Sequence, residues 1–160
     1  LTVERLREVL DYDPETGVFR WKVALRRGRI GVVAGSIKGG RCCVRIDKKD
    51  YVAGRIAWLH VYGEWPSGEI DHRDRDPLNN RIGNLRVATR QQNAQNRGAQ
   101  SNNACGLKGV SFNRARGKWQ ARLLAADGKF RWLGLHATKE AAAAAYEVGA
   151  QKYFGEFARS

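Results

Sequence analysis

Thr2 is followed by apolar residues at Val3, Leu6 and Leu10, the spacing of one face of a short helix with a hydroxyl at its start. Asp13-Pro14-Glu15-Thr16-Gly17 interrupts that pattern as a turn, and Val18-Phe19-Arg20-Trp21 reads as a strand. Two more strands are expected from Gly31 to Ile37 and from Cys42 to Ile46, then a turn over Asp47 to Asp50 and a helix from Arg55 to Tyr62. Ile70 leads a strand into Asp71 and His72. A charged, asparagine-rich loop from Arg73 to Gly83 follows, and Leu85-Arg86-Val87-Ala88 returns as a second strand. Thr89 opens a helix to about Asn96, and Gln92, three residues on, completes a capping box.

The C-terminal third changes period. From Gly106-Leu107-Lys108-Gly109-Val110-Ser111-Phe112 onward the pattern predicts three short strands, separated by turns at Arg116-Gly117-Lys118 and Asp127-Gly128, and then one helix. In the middle strand Trp119, Ala121 and Leu123 share one face while Lys118, Gln120 and Arg122 share the other, so one face is core and the other basic. Thr138 caps the helix, which runs through Ala141 to Ala145, Tyr146 and Val148 and ends near Phe154-Gly155. Its small alanines allow close approach to the strands. The stretch from Arg97 to Cys105 is polar and flexible in composition, and a linker is placed there.

Charge narrows the choice of partner. The chain carries 29 Lys and Arg against 16 Asp and Glu, a formal net charge of +13 over 160 residues and a pI of about 10.2. Such an excess favours nucleic acid and makes binding strongly dependent on salt. Basic and acidic residues number 12 and seven over positions 1–50, seven and five over 51–97, and ten and four over 98–160. Affinity is therefore expected from the flanks of the central segment. Arg26, Arg27 and Arg29 form a basic loop suited to phosphate contacts.

The central segment carries the chemistry. Glu69-Ile70-Asp71-His72, followed by Asn84 and Asn93, supplies a carboxylate, an imidazole and two carboxamides that one metal could gather. Helical side chains lean toward the helix N-terminus, so Asn93, one turn in, can reach back toward Asp71. One carboxylate and one carboxamide suit a hard cation, magnesium first and manganese second, and leave sites for water and a phosphate oxygen. An unperturbed histidine ring titrates near neutrality, and a residue of that type can take a proton from an attacking water, the role open to His72, while the metal steadies charge on the phosphate. Each residue also has a plainer reading: Asp and Asn favour turns, Asn84 can brace a loop in any protein, and a lone helical Asn is normally solvated. It is their combination with a strand, a capped helix and flanking arginines that points to phosphodiester hydrolysis. His60 is expected to be a packing or surface residue, and His136 to help a turn.

The segment resembles the HNH (His-Asn-His) endonucleases of phages and mobile introns whose third motif residue is asparagine. The resemblance is carried by Gly54-Arg55-Ile56-Ala57-Trp58, Gly63-Glu64-Trp65-Pro66, Ile70-Asp71-His72, Asn79-Asn80-Arg81, Asn84-Leu85-Arg86, Thr89-Arg90-Gln91-Gln92-Asn93 and Asn96-Arg97, about a third of the chain. It implies a ββα-metal (His-Me finger) module with His72 as general base, Asp71 and Asn93 as metal ligands, and Asn84 as the central asparagine that braces the loop and orients the base. The family often carries His where Gly54 stands, and reduced activity would follow from that departure.

The C-terminal part resembles the Apetala/ethylene-response-factor DNA-binding domain. Gly109-Val110, Gly117-Lys118-Trp119-Gln120-Ala121, Arg131-Trp132-Leu133-Gly134, the Ala141 to Tyr146 run and Tyr153-Phe154-Gly155 carry that likeness. It implies a three-stranded sheet laid in the major groove, with Arg114, Arg116, Gln120, Arg122 and Trp132 reaching bases and phosphates. Lys108, Lys118 and Arg131 are expected to contact phosphates. Trp119 is expected in the core, and for Trp132 core and contact are evenly balanced.

Cys42, Cys43 and Cys105 form no CxxC pair, so neither structural disulfides nor a zinc site is indicated. No apolar run approaches membrane length and no signal peptide is visible, so a cytoplasmic location is expected. The reading is an α+β protein in four parts: a β-rich scaffold (1–54), a nuclease core (55–97), a linker (98–105), and a three-stranded antiparallel sheet on one helix (106–160). Its expected function is that of a metal-dependent, site-preferring endonuclease of double-stranded DNA, a monomer or weak dimer that nicks. The alternatives are a catalytically impaired DNA-binding protein and a structure-specific or RNA-directed nuclease.

Overall fold

Helix α1 (Val3–Val9) starts where the Thr2 hydroxyl accepts the Arg5 amide at 3.3 Å, and it buries Leu6 and Val9. The computed structural model describes residues 1–24, 30–96, 103 and 105–158. Arg26, Arg27 and Arg29 lie outside them, as does the expected linker apart from Asn103 and Cys105. The chain divides into two units, Leu1–Thr89 and Arg90–Ser160. No helix among the described residues is long and apolar enough to cross a membrane.

In the first unit the helix ends one residue before Leu10. That residue opens strand β1 (Leu10–Asp13), which pairs antiparallel with β2 (Val18–Trp21). Leu10 is fully buried, as a helix residue of the same face would have been, but it reaches the core as a strand residue. The Asp13 carboxylate fixes the hairpin turn by accepting the amides of Glu15 and Thr16 and the Thr16 hydroxyl.

The strand expected from Gly31 to Ile37 is divided between two partners. Residues 31–34 run beside β2, with the Gly31 amide donating to Trp21 and the Ala34 amide to Phe19. Gly35, at φ +115°, then turns the chain away. Only Ser36–Lys38 forms a strand, β3, on β4 (Arg41–Ile46). Asp47 and Lys48 both take positive φ, the geometry of a two-residue hairpin turn, and β5 (Lys49–Val52) follows where a turn was expected to continue.

Helix α2 (Ala53–Tyr62) closes on Gly63 in the left-handed region. Strand β6 (Glu69–His72), a single 3-10 turn over Ile82–Asn84, and β7 (Leu85–Ala88) complete the unit, β6 and β7 pairing antiparallel. Leu6, Leu10, Phe19, Val44, Ile56, Leu59 and Leu85 form the core beneath them. Each such side chain contributes roughly 1.5–3 kcal/mol on full burial. His60 is half-buried against the rings of Tyr12 and Phe19, a packing histidine.

The second unit begins with α3 (Arg90–Asn96) and continues with β8 (Val110–Asn113), β9 (Lys118–Leu124) and β10 (Phe130–His136), an antiparallel sheet in the order β10-β9-β8. Thr138 accepts the Ala141 amide at 3.1 Å and starts α4 (Lys139–Phe154), which packs on the sheet. Val110, Ala121 and Leu123 on the sheet and Ala142, Tyr146 and Ala150 on α4 are buried. A Cβ on Gly109, at φ +71°, would stand 2.2 Å from the Tyr146 ring, so the close approach requires glycine. The protein is thus of mixed α+β class.

Candidate active site

Register across the β6–β7 hairpin puts Asp71 directly opposite Arg86. Arg86 donates from both Nε and Nη2 to Asp71 Oδ2, each at 2.8 Å, and the two side chains are 7% and 5% exposed. Buried ions persist only when paired in this way. Arg86 uses one oxygen of a carboxylate that offers about four lone-pair sites, so its chemistry fits a hard cation as a further partner. Among the described residues no group of three or more His, Cys, Asp or Glu is gathered to hold a metal. A centre here would therefore draw on other donor types, such as carboxamides. Asn93 lies half-buried on α3, in the second unit.

His72, next along β6, is half-buried, and its Nε2 lies 3.4 Å from Asn80 Oδ1. Asn80 is 3% exposed and held from two sides: its Nδ2 donates to the Leu78 carbonyl at 3.1 Å, and the Tyr12 hydroxyl donates to its backbone carbonyl at 2.7 Å. Gly54, at the start of α2, closes over the same spot. A Cβ there would be 3.2 Å from Asn80 Oδ1 and 3.7 Å from His72 Cε1. From the next position Arg55 reaches the Gly68 carbonyl at 2.9 Å and lies over the Trp65 ring, which ties α2 to the start of β6.

Asn84 holds the loop between the strands. Its Nδ2 donates to Asp74 Oδ1 at 2.9 Å and to the Asn79 carbonyl at 2.8 Å, and its Oδ1 accepts the Asp74 amide at 3.0 Å. Burial alone would raise the Asp74 pKa. The Asp76 amide, the Asn79 and Asn84 carboxamides and the neighbouring His72 outweigh it and hold the carboxyl below its ordinary value. The sequence suggested one asparagine for both bracing the loop and orienting the ring. The structure puts Asn84 in the loop and Asn80 at the ring. Within the Asn79-Asn80-Arg81 run, only the fold distinguishes the buried residue that meets His72 from its half-buried and exposed neighbours.

Residues 51–95 match the HNH endonuclease family. The HNH segment thus includes Gly54, Asp71, His72, Asn80, Asn84 and Asn93. The chain is also 38% identical over 73 residues to protein 3.8 of Escherichia phage T7, a match covering 45% of this chain and 60% of that protein. It is 36% identical over 104 residues to an uncharacterized HNH endonuclease of Acanthamoeba polyphaga mimivirus, covering 64% of this chain and 52% of the relative. The chain therefore spans only about half to three-fifths of these relatives.

Beyond the HNH segment, the sheet of the second unit turns one face outward. Lys118, Gln120 and Arg122 alternate with the core residues of β9, and Trp132 stands opposite Arg122 on β10. Trp132 is 58% exposed, so of its two expected positions it takes the surface one. Gln120 donates to the Ser111 hydroxyl at 2.9 Å and accepts from Asn113, and Arg122 lies 4.7 Å over the Phe130 ring. Arg114 and Arg116 are exposed in the β8–β9 turn. Arg131 departs from this group: opposite Leu123, it is paired with Asp127 and lies beside Tyr153 of α4. Lys108 donates to the Ala94 and Gln95 carbonyls at the end of α3. Trp119 packs edge-on against Phe112, and His136 ends β10 with Nε2 at 3.2 Å from the Leu133 carbonyl.

Proposed function

We propose that this chain is a metal-dependent endonuclease of double-stranded DNA that nicks one strand and prefers certain sites. The observation that carries the reading is the Asp71-His72 pair in a strand whose buried carboxylate is held by Arg86, inside the segment that matches the HNH family. HNH nucleases typically use a divalent metal. Asp71 and Asn93 would hold it, magnesium first and manganese second, and when bound it supplies positive charge for the phosphate and the departing sugar oxygen. His72 takes a proton from water as the water oxygen bonds to phosphorus and the bond from phosphorus to the sugar oxygen breaks. Asn84 keeps the intervening loop in shape. The outward face of the second unit, with Lys118, Gln120, Arg122 and Trp132 beside the Arg114 and Arg116 turn, serves as a duplex-binding surface of the Apetala/ethylene-response-factor type. One such centre per chain makes a nick the natural product, and a double-strand break requires two copies.

A second reading, a DNA-binding protein with an impaired centre, draws on Gly54. Its bare Cα stands beside His72, where the family often carries a ring. Conversion of supercoiled plasmid to the open circle separates the two readings. Nicking that needs magnesium or manganese, stops with chelator and is lost in His72→Ala supports the nuclease. Salt-sensitive duplex binding without nicking by the unmodified chain supports the second reading.

A further inference from the structure

We propose that Asn80 is a positioning residue that sets which nitrogen of His72 acts on water. This rests on the reading of His72 as general base. The Asn80 amino group is spent on the Leu78 carbonyl, a bond only an N–H can make, so the face it turns to His72 Nε2 is the carbonyl oxygen. A carbonyl accepts and does not donate. The neutral ring beside it therefore carries its proton on Nε2, and Nδ1 is the nitrogen with the lone pair.

The surroundings leave that carbonyl little freedom. Asn80 is almost wholly buried, its backbone is fixed by Tyr12, and its Oδ1 rests against Gly54 closer than an ordinary side-chain neighbour would permit. A buried carbonyl with a defined direction orders the ring; a mobile one would let both tautomers form. Glycine at position 54 is part of this arrangement, since even a methyl group would come to 3.2 Å from the oxygen. The proton then moves from water to Nδ1 while Nε2–H keeps its bond to Asn80, and the imidazolium formed donates from both nitrogens.

The test uses the full chain with 15N-labelled histidine, of which there are three residues, His72 being assigned by its loss in His72→Ala. Long-range proton–nitrogen spectra are recorded without metal over a series of rising pH until the His72 signals no longer change, so that the neutral ring is the one read. The unmodified chain should show a protonated Nε2 and an unprotonated Nδ1. Asn80→Ala should populate both tautomers, whereas Asn80→Asp, which keeps an acceptor, should return the Nε2–H form. In plasmid nicking, Asn80→Ala should lower kcat about 10- to 100-fold with KM unchanged, the usual cost of losing a residue that orients a reacting group. A proton on Nδ1 in the unmodified chain, or an unaltered His72 signature in Asn80→Ala, overturns the proposal. The His60 and His136 resonances report whether a variant is folded; should the alanine variant fail, the unmodified chain and Asn80→Asp still decide. Absence of nicking in every form would remove the nuclease reading while leaving the ring signature to judge Asn80.

Discussion

Replacing Arg86 by methionine should cost far more than its place on a short hairpin suggests. The substitution keeps most of the volume and removes both donors to Asp71, whose side chain is 5% exposed. A pair of unit charges at ~4 Å attracts by about 4 kcal/mol at an effective dielectric constant of about 20. Removing one partner of a buried pair costs about 3–5 kcal/mol, because the survivor keeps its desolvation penalty. Lys38–Asp50 in the same unit is the internal control: its side chains are 48% and 39% exposed, and Lys38→Met should cost only about 0–1 kcal/mol. Amide hydrogen exchange in β6 and β7 reads the difference directly, since 3–5 kcal/mol is about 10²- to 10⁴-fold faster exchange for amides that open with the hairpin. Adding Asp71→Leu to Arg86→Met should restore a large part of the loss, because no orphan charge remains. A loss below about 1 kcal/mol in Arg86→Met, or no recovery in the double variant, would refute the argument from burial.

Because Arg86 already balances Asp71, chelation should abolish nicking while leaving the thermal midpoint of the first unit within about 2 °C, a comparison made by calorimetry with and without EDTA. His60 should make that unit sensitive to mild acid. Burial, and next the Arg7 charge, hold its pKa below the ordinary 6.5, so the unfolded ring binds a proton first as pH falls. The stability it contributes is complete above pH 6.5 and is lost as pH drops through the lower folded value; urea midpoints for the unmodified chain and His60→Leu across that range should converge on the acid side. On the sheet of the second unit, Arg122→Ala and Trp132→Ala should each weaken duplex binding by about 1–3 kcal/mol in fluorescence anisotropy. Arg131→Ala, on the other face with Asp127 and Tyr153, should weaken it less.

What was legible in the sequence was local. Thr2 and Thr138 cap helices where their hydroxyls sit ahead of apolar runs, and Asp127-Gly128 turns the hairpin between β9 and β10. The alternation in β9 correctly separated Trp119, Ala121 and Leu123 from Lys118, Gln120 and Arg122, because a pleated strand leaves no other choice. The misreadings came where partners decide. Leu10 fits the helical face of Val3 and Leu6, yet pairing with Trp21 draws it into β1. Lys49 and Asp50 are polar and look like a turn until Arg45 and Ile46 are available to pair with them. The parity that groups Arg131 with Leu123 was readable, but the bulge between Trp132 and Gly134 that shifts register beyond it was not.

The same distinction governs the candidate site. Asp71 and His72 are adjacent in sequence and their strand is announced by its own residues, whereas the partner that meets the His72 ring depends on contacts nearly 70 positions apart. Tyr12 donates to the Asn80 carbonyl, the Ile82 amide donates to Pro14 at 3.2 Å, and a Cβ on Gly17 would come to 2.5 Å from the Arg81 nitrogen. The hairpin of β1 and β2 therefore presses on the segment that carries Asn80. Residues 12–17, readable only as part of a scaffold, hold in place the backbone that carries Asn80 beside His72. A segment trimmed to the matched residues 51–95 would keep Asp71, His72, Asn84 and Asn93 but lose Tyr12, Pro14 and Gly17, and with them the constraint that fixes Asn80. The motif names the groups proposed to react, and the long-range contacts of the N-terminal hairpin fix the backbone of the asparagine that stands beside one of them.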